Sequence, residues 1–185
     1  MFFSSRLATA ALVLGLFTAP AMAQVEVTTT PEVQAEVAPV PDDQPATASY
    51  ASLAHAVAAH RLEADLDDET TCMAGAVYFE SRGEPLSGQL AVANVILNRT
   101  RSGRFPKTIC SVVTQPGQFS FVRGGRVPDI ADCAYYRTAI AVARVAIAGA
   151  WASPAADALF FHARRVSPGW HRIQIAAIGN QVFYR

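Results

Sequence analysis

Hydrophobic and polar positions divide the chain into stretches of different character. From Met1 to Ala23 a single positive charge, Arg6, precedes an apolar run from Leu7 to Phe17, then Pro20 and the small-x-small ending Ala21-Met22-Ala23. This is the pattern of a cleaved secretory signal peptide, and the run is shorter than the roughly 20 apolar residues that a spanning helix needs. Residues 24–49 set Pro31, Pro39, Pro41 and Pro45 among Thr, Val and acids, with no Lys or Arg. Such a mixture cannot build a packed face and reads as an extended acidic, Pro-rich linker. Over residues 50–66, Leu53, Ala56, Val57 and His60 recur at helical spacing and predict a short amphipathic helix.

The signals sharpen over residues 67–185, the stretch expected to form the catalytic domain. Asp67 or Asp68 can cap a helix with Glu69 in its first turn. Met73, Ala76, Val77 and Glu80 then fall at i, i+3, i+4 and i+7, and Gly83 and Pro85 stop the helix. A second helix opens at Glu84-Pro85 or Ser87, carries Leu90, Ala93, Ile96 and Leu97 on its inner face, and ends near Arg101 to Gly103. Gln118 to Val122 alternates like a strand and leads into a Gly124-Gly125 turn. Asp129 or Asp132 is expected to cap an alanine-rich helix reaching Ala148-Gly149. Ala158 to Ala163 reads as a short strand, and Arg172 to Tyr184 as a hairpin turned at Gly179-Asn180. The fold class is α+β, helices first and a small antiparallel sheet toward the C-terminus.

Charge changes the picture. The formal net charge is zero, yet residues 24–69 hold ten acids against Arg61 alone, a net of −9. Residues 70–185 hold only Glu80, Glu84, Asp129, Asp132 and Asp157 against thirteen basic residues, a net of +8. An enzyme of acid–base chemistry in the basic part therefore has few carboxylates to use. The basic surface suits an anionic polymer. Nucleic acid is not expected, because the chain carries an export signal and no interleaved binding motif. No later stretch is long and apolar enough to span a membrane, so no stable insertion is expected once the leader is removed. The expected location is periplasmic or secreted. In that oxidising setting, and with no C-x-x-C pair, two of Cys72, Cys110 and Cys133 are expected to form a disulfide. Cys72 with Cys110 is favoured, one at a helix start and the other just past the following loop; Cys110 with Cys133 competes.

Glu80 stands out as the candidate acid. It continues an apolar helical stripe, which turns its carboxyl away from water, and it lies at a helix C-terminus, where the macrodipole disfavours negative charge. Both effects raise a carboxyl pKa, as a general acid requires. Glu84 sits where the next helix begins, which favours its ionised form. The plainer alternative pairs Glu80 with Arg82 and leaves Glu84 as a helix-start residue. Gln115, Gln118, Phe119, Ser120 and Phe121 combine amides, a hydroxyl and aromatic faces, the groups that recognise sugars, or else form an edge strand. His162, after two phenylalanines, either lines the cleft or sits satisfied in the core, and Trp170 with His171 follows a Pro-Gly pair suited to a rim loop.

The run Tyr78-Phe79-Glu80-Ser81-Arg82-Gly83-Glu84-Pro85, then Gly88-Gln89 and Ala91-Val92-Ala93-Asn94-Val95-Ile96-Leu97-Asn98-Arg99, resembles the signature of the SleB-type cell wall hydrolases. The likeness continues through Phe105-Pro106, Ile109-Cys110-Ser111-Val112-Val113, Gln115 and Gln118-Phe119-Ser120. It closes with Phe160-Phe161-His162-Ala163 and Ile178-Gly179-Asn180-Gln181-Val182-Phe183-Tyr184. Two positions depart from the pattern: Ser81, where Ala is usual, and Asn180-Gln181, where many members carry a His. The resemblance implies a lysozyme-like fold related to lytic transglycosylases, peptidoglycan glycan strands as substrate, no cofactor or metal, and Glu80 as the catalytic acid and then base. The residues read for sugar recognition, Gln115, Gln118, Phe119, Ser120 and Phe121, are expected to form the substrate-binding set with Glu84 and His162, and the resemblance leaves Glu84 supporting Arg82 or the loop. Two other functions remain open: an amidase cutting between muramic acid and the stem peptide, whose zinc chemistry would have only His162 and His171 in the basic part to draw on, and a wall-binding module without catalysis.

Overall fold

A computed structural model describes residues 49–61, 66–153 and 155–185. The expected leader (1–23), nearly all of the expected linker (24–48) and residues 62–65 of the expected amphipathic helix lie outside the described residues.

Among the described residues, three helices start where a side chain accepts from their free N–H groups, whereas the third and fifth in chain order start without a side-chain cap. Helix α1 (Leu53–Ala59) is capped by Ser52, whose hydroxyl accepts from the His55 N–H. Helix α2 (Asp68–Ser81) is capped by Asp67, which accepts from the Thr70 N–H at 2.6 Å, with Asp68 and Glu69 in its first turn. That hydrogen bond holds the Asp67 carboxyl below the usual range. Helix α3 (Leu86–Arg101) follows Pro85, whose fixed φ suits a helix entry. Helix α4 (Ile109–Val113) is capped by Thr108, and the Glu69 carboxylate reaches across from α2 to accept from the Ile109 and Cys110 N–H groups at 2.6 and 3.2 Å. The Cys72–Cys110 disulfide closes the same junction, leaving Cys133 as the free thiol. Helix α5 (Ala134–Ile147) begins after Cys133, not after Asp129 or Asp132. Asp132 instead pairs with Arg137 at 2.7 Å on the surface.

Small residues let these helices approach closely. The alanines of α5 bury Ala139, Ala141, Ala143 and Ala146 against α2 and α3. Gly75 of α2 admits Val127, for a Cβ there would stand 2.5 Å from Val127 Cγ1. The expected inner residues Met73, Ala76 and Val77 of α2, and Leu90, Ala93, Ile96 and Leu97 of α3, all lie in this main core. The other face of α3 is also buried: Ala91, Val92 and Val95 form a second core with Ala155, Ala158 and Phe183. Helix α3 therefore stands between the helices and the sheet. Helix α1 packs on α5, where Arg61 donates to Thr138 Oγ1 and Arg144 to the His60 carbonyl.

The sheet comprises β1 (Phe160–Ala163), β2 (Gln174–Ile178) and β3 (Gln181–Tyr184), antiparallel in the order β1-β3-β2. The hairpin turns at Gly179-Asn180 as expected, and β1 pairs His162 with Val182 and Phe160 with Tyr184. The Gly124-Gly125 turn is present, closed by reciprocal 3.0 Å hydrogen bonds between Arg123 and Arg126. The strand expected over Gln118 to Val122 is absent. That segment runs through turns, and its alternation arises because Phe119 and Phe121 plant their rings in the core, Phe121 stacked on Phe79 with centroids 4.7 Å apart. Among the described residues no helix is long and apolar enough to cross a membrane.

Candidate active site

Glu80 is the penultimate residue of α2, one turn beyond the buried Ala76 and Val77. The stripe that these residues form leaves the core there, and the Glu80 carboxyl enters a groove of about 480 Å³. Its lining also comes from β1 (Phe160, Phe161, His162), from the segment after it (Val166, Pro168, Trp170, Arg172), and from Arg99, Gly117, Gln118 and Phe119. Glu80 is the only carboxylate among the described residues that line it. Burial raises the Glu80 pKa above its ordinary value, and no hydrogen bond or ion pair to the carboxyl opposes that effect among the described residues. The pairing with Arg82 does not form: Arg82 reaches back to the Tyr78 hydroxyl at 3.0 Å and lies over its ring.

The hairpin holds the backbone beneath this acid. Gln181 on β3 donates from Nε2 to the Glu80 carbonyl at 2.7 Å, satisfying a group that a helix end leaves open. Glu84 fastens the adjoining turn, accepting from the Asn180 N–H at 2.8 Å and from Asn180 Nδ2 at 3.1 Å. Its carboxylate is thus occupied by the hairpin, away from the groove.

Other wall groups are fixed with equal care. The His162 ring stacks on Tyr184, with Nε2 2.9 Å from the Tyr184 hydroxyl and Nδ1 2.9 Å from the Ala163 carbonyl. Trp170 meets His162, Tyr184 and Phe160 edge-on. Arg99, in the last turn of α3, is only 6% exposed. Its Nε donates to the Leu159 carbonyl at 2.9 Å, its guanidinium lies 4.8 Å from the Phe105 centroid, and burial lowers its pKa to about 10.

The cell wall hydrolase family matches residues 83–184. The chain belongs to the cell wall hydrolase family. The spore cortex-lytic enzyme of Bacillus cereus is 39% identical over 117 residues, 60% of this chain and 42% of that protein. Its counterpart from Bacillus subtilis is 36% identical over 134 residues, 69% of this chain and 41% of the relative. The chain thus spans about two fifths of the length of these curated relatives. Among solved structures, the catalytic domain of the germination-specific lytic transglycosylase SleB from Bacillus anthracis superposes with a TM-score of 0.55 at 36% identity, covering 66% of this chain and 98% of that one. The Bacillus cereus SleB catalytic domain gives 0.53 at 33% identity, covering 68% and 96%. The α+β fold with its small sheet is therefore that of the SleB catalytic domain.

In this member of the family, the groove brings together Glu80, Gln118, Phe119 and His162 of the residues singled out in the sequence. Gln115, Ser120 and Phe121 do not line it. Phe121 is a core ring, Ser120 is exposed and lends its carbonyl to Arg123, and Gln115 buries its Oε1 without a hydrogen-bond partner. Sequence reasoning missed Arg99, Phe160, Phe161 and Arg172. Nothing in the sequence sets Arg99 apart from the other cations near the end of its helix, and only the tertiary placement of β1 and of the segment after it carries Phe160, Phe161 and Arg172 to the groove. The Pro168-Gly169 pair was the one signal, and it pointed to Trp170.

Proposed function

We propose that this chain acts outside the cytoplasm on peptidoglycan glycan strands, cleaving the bond between N-acetylmuramic acid and N-acetylglucosamine as a lytic transglycosylase. The observation that carries the reading is the Glu80 carboxyl: alone in its groove, half-buried and held toward its neutral form. A neutral acid beside a sugar-sized groove is the apparatus of general acid catalysis at a glycosidic oxygen. Glu80 gives its proton to that oxygen as the bond to C1 of muramic acid breaks. The resulting carboxylate takes the proton of the muramic 6-hydroxyl while that oxygen bonds to C1. The 1,6-anhydro product forms, Glu80 is again protonated, and no water is consumed.

A paired-carboxylate hydrolase needs a second carboxyl about 5–10 Å from the first. None lines this groove among the described residues, and Glu84 is tied to Asn180. The groove's donor set, one imidazole and one carboxyl, is short of the three protein ligands of a zinc amidase. Phe161 and Trp170 offer apolar surface to sugar rings, and the Gln118 amide offers hydrogen bonds to acetamido groups or hydroxyls. The relatives' names, spore cortex-lytic enzyme and lytic transglycosylase, support the same substrate. The leader-like residues 1–23 and the Cys72–Cys110 bond support an oxidising, exported location. Glu80→Gln tests the assignment. It is expected to lower the release of soluble fragments from purified cell walls by about a thousandfold while wall binding persists. Release within tenfold of the native protein would remove Glu80 from the chemistry and favour a wall-binding module.

A further inference from the structure

Cations gather around one ring that lines the groove, Phe160, without an acid paired to them. The guanidiniums of Arg99, Arg104 and Arg172 stand 5.8, 5.7 and 3.5 Å from the centroid of one ring, Phe160. Among the described residues none of the three pairs with a carboxylate. Attraction to an aromatic face offsets only part of the repulsion between like charges so close together. Arg99 is the most constrained. Besides the bond to Leu159 it has only a 3.4 Å contact from Nη1 to Gln118 Oε1, at the outer limit of a hydrogen bond. A guanidinium carries five N–H donors, so most of those on Arg99 lack a protein acceptor. None of its nitrogens is sealed from water without a partner, so the open donors face the groove, where an anionic acceptor would satisfy them in a setting of reduced solvation. Arg99 and Arg172 line the same groove as Glu80.

We propose that Arg99 and Arg172 form a subsite for a substrate carboxylate carried by the muramic acid unit, beside the bond that Glu80 addresses. The inference rests on the glycan-cleaving reading and deepens it. The planar guanidinium fork matches a carboxylate in two parallel hydrogen bonds, and Arg99 is already immobilised by Leu159 and the Phe105 ring, so little is lost in ordering it. N-acetylglucosamine is uncharged. Muramic acid bears a lactyl substituent that is either a free carboxylate, on strands stripped of peptide, or the attachment point of a stem peptide with carboxylates of its own. A cationic subsite on one side of Glu80 therefore sets the register of the strand, admitting the muramic unit and not its neighbour.

The test measures binding of the Glu80→Gln protein to soluble glycan strands of two kinds, peptide-bearing and peptide-free, each before and after amidation of its carboxylates with methylamine. The KM of the native protein is measured on the same four substrates. Amidation is expected to weaken binding by about tenfold, the effect of a hydrogen bond to a charged group, and to raise KM more than it changes kcat. Whichever kind of strand loses more identifies the source of the carboxylate. Arg172→Gln is expected to bring the tenfold ratio between charged and amidated strands toward one. Because Arg99 is buried, Arg99→Lys, which keeps the charge but not the fork, is measured beside it with its melting temperature. Its ratio falls as well. Strands cleaved with no regard to their charge, or a ratio unmoved in both variants, would overturn the subsite alone. Strands neither bound nor cleaved in any form would overturn the glycan reading, and the subsite with it.

Discussion

Glu80 is placed where an apolar helical stripe runs out into a groove, so the same periodicity that builds the core also desolvates the acid. Two consequences follow from burial raising its pKa. The protonated form is the active one for the proposed chemistry, so kcat/KM is expected to fall as pH rises through the Glu80 value in the free protein. A profile that rises through the same range would contradict this assignment. Stability moves in the same direction. A carboxyl whose folded pKa is raised contributes fully below its unfolded value, and that contribution is lost as pH rises through the folded one. Glu80→Gln is neutral at every pH and escapes the loss. It is expected to melt higher than the native protein at pH 7, with the gap closing below about pH 4, where the unfolded glutamate is protonated. Thermal melts across this range check it, and a variant less stable at neutral pH would count against a desolvated carboxyl.

At the level of elements, the end of α2 and the β2–β3 hairpin form one unit. Gln181 holds the Glu80 carbonyl and Glu84 holds Asn180. Gly179 makes the close approach feasible: its φ is +56°, and a Cβ there would lie 2.0 Å from Glu84 Oε2. Gly179→Ala is expected to cost about 1–3 kcal/mol in denaturant unfolding and to lower activity through the displaced hairpin. Full retention of both would show that the clamp is slack. The Cys72–Cys110 bond, with 38 residues of separation, ties α2 to α4 where Glu69 already binds. Replacing both cysteines with Ser is expected to lower stability by about 2–4 kcal/mol, read from the shift in denaturation midpoint. These elements differ in how openly the sequence declares them. Helices α2, α3 and α5 show because apolar residues recur at helical spacing between stop signals, with the Asp67 cap adding to that for α2 alone, and the hairpin shows in its Gly-Asn turn. Gln118 to Val122 misleads because a turn that buries alternate phenylalanines has the same pattern as a strand. Glu80 is legible from local periodicity, whereas Arg99 and Arg172 acquire meaning only when β1 and the segment after it fold over the end of α3.

For the molecule as a whole, charge and packing divide the work. The main core fixes α2, the second core fixes the sheet, and α3 belongs to both, so the acid and the aromatic lining of its groove are referred to one helix. The net of +8 over residues 70–185 favours approach to an anionic wall, and the groove itself keeps one acid among its arginines. Such a site holds an acid kept toward its protonated form and, among the described residues, no second carboxylate to activate water. The most direct test of that claim is mass spectrometry of the fragments released from purified peptidoglycan in water enriched in oxygen-18. Anhydro-muramic ends free of the label are predicted. Reducing ends one water heavier and carrying oxygen-18 would contradict the account.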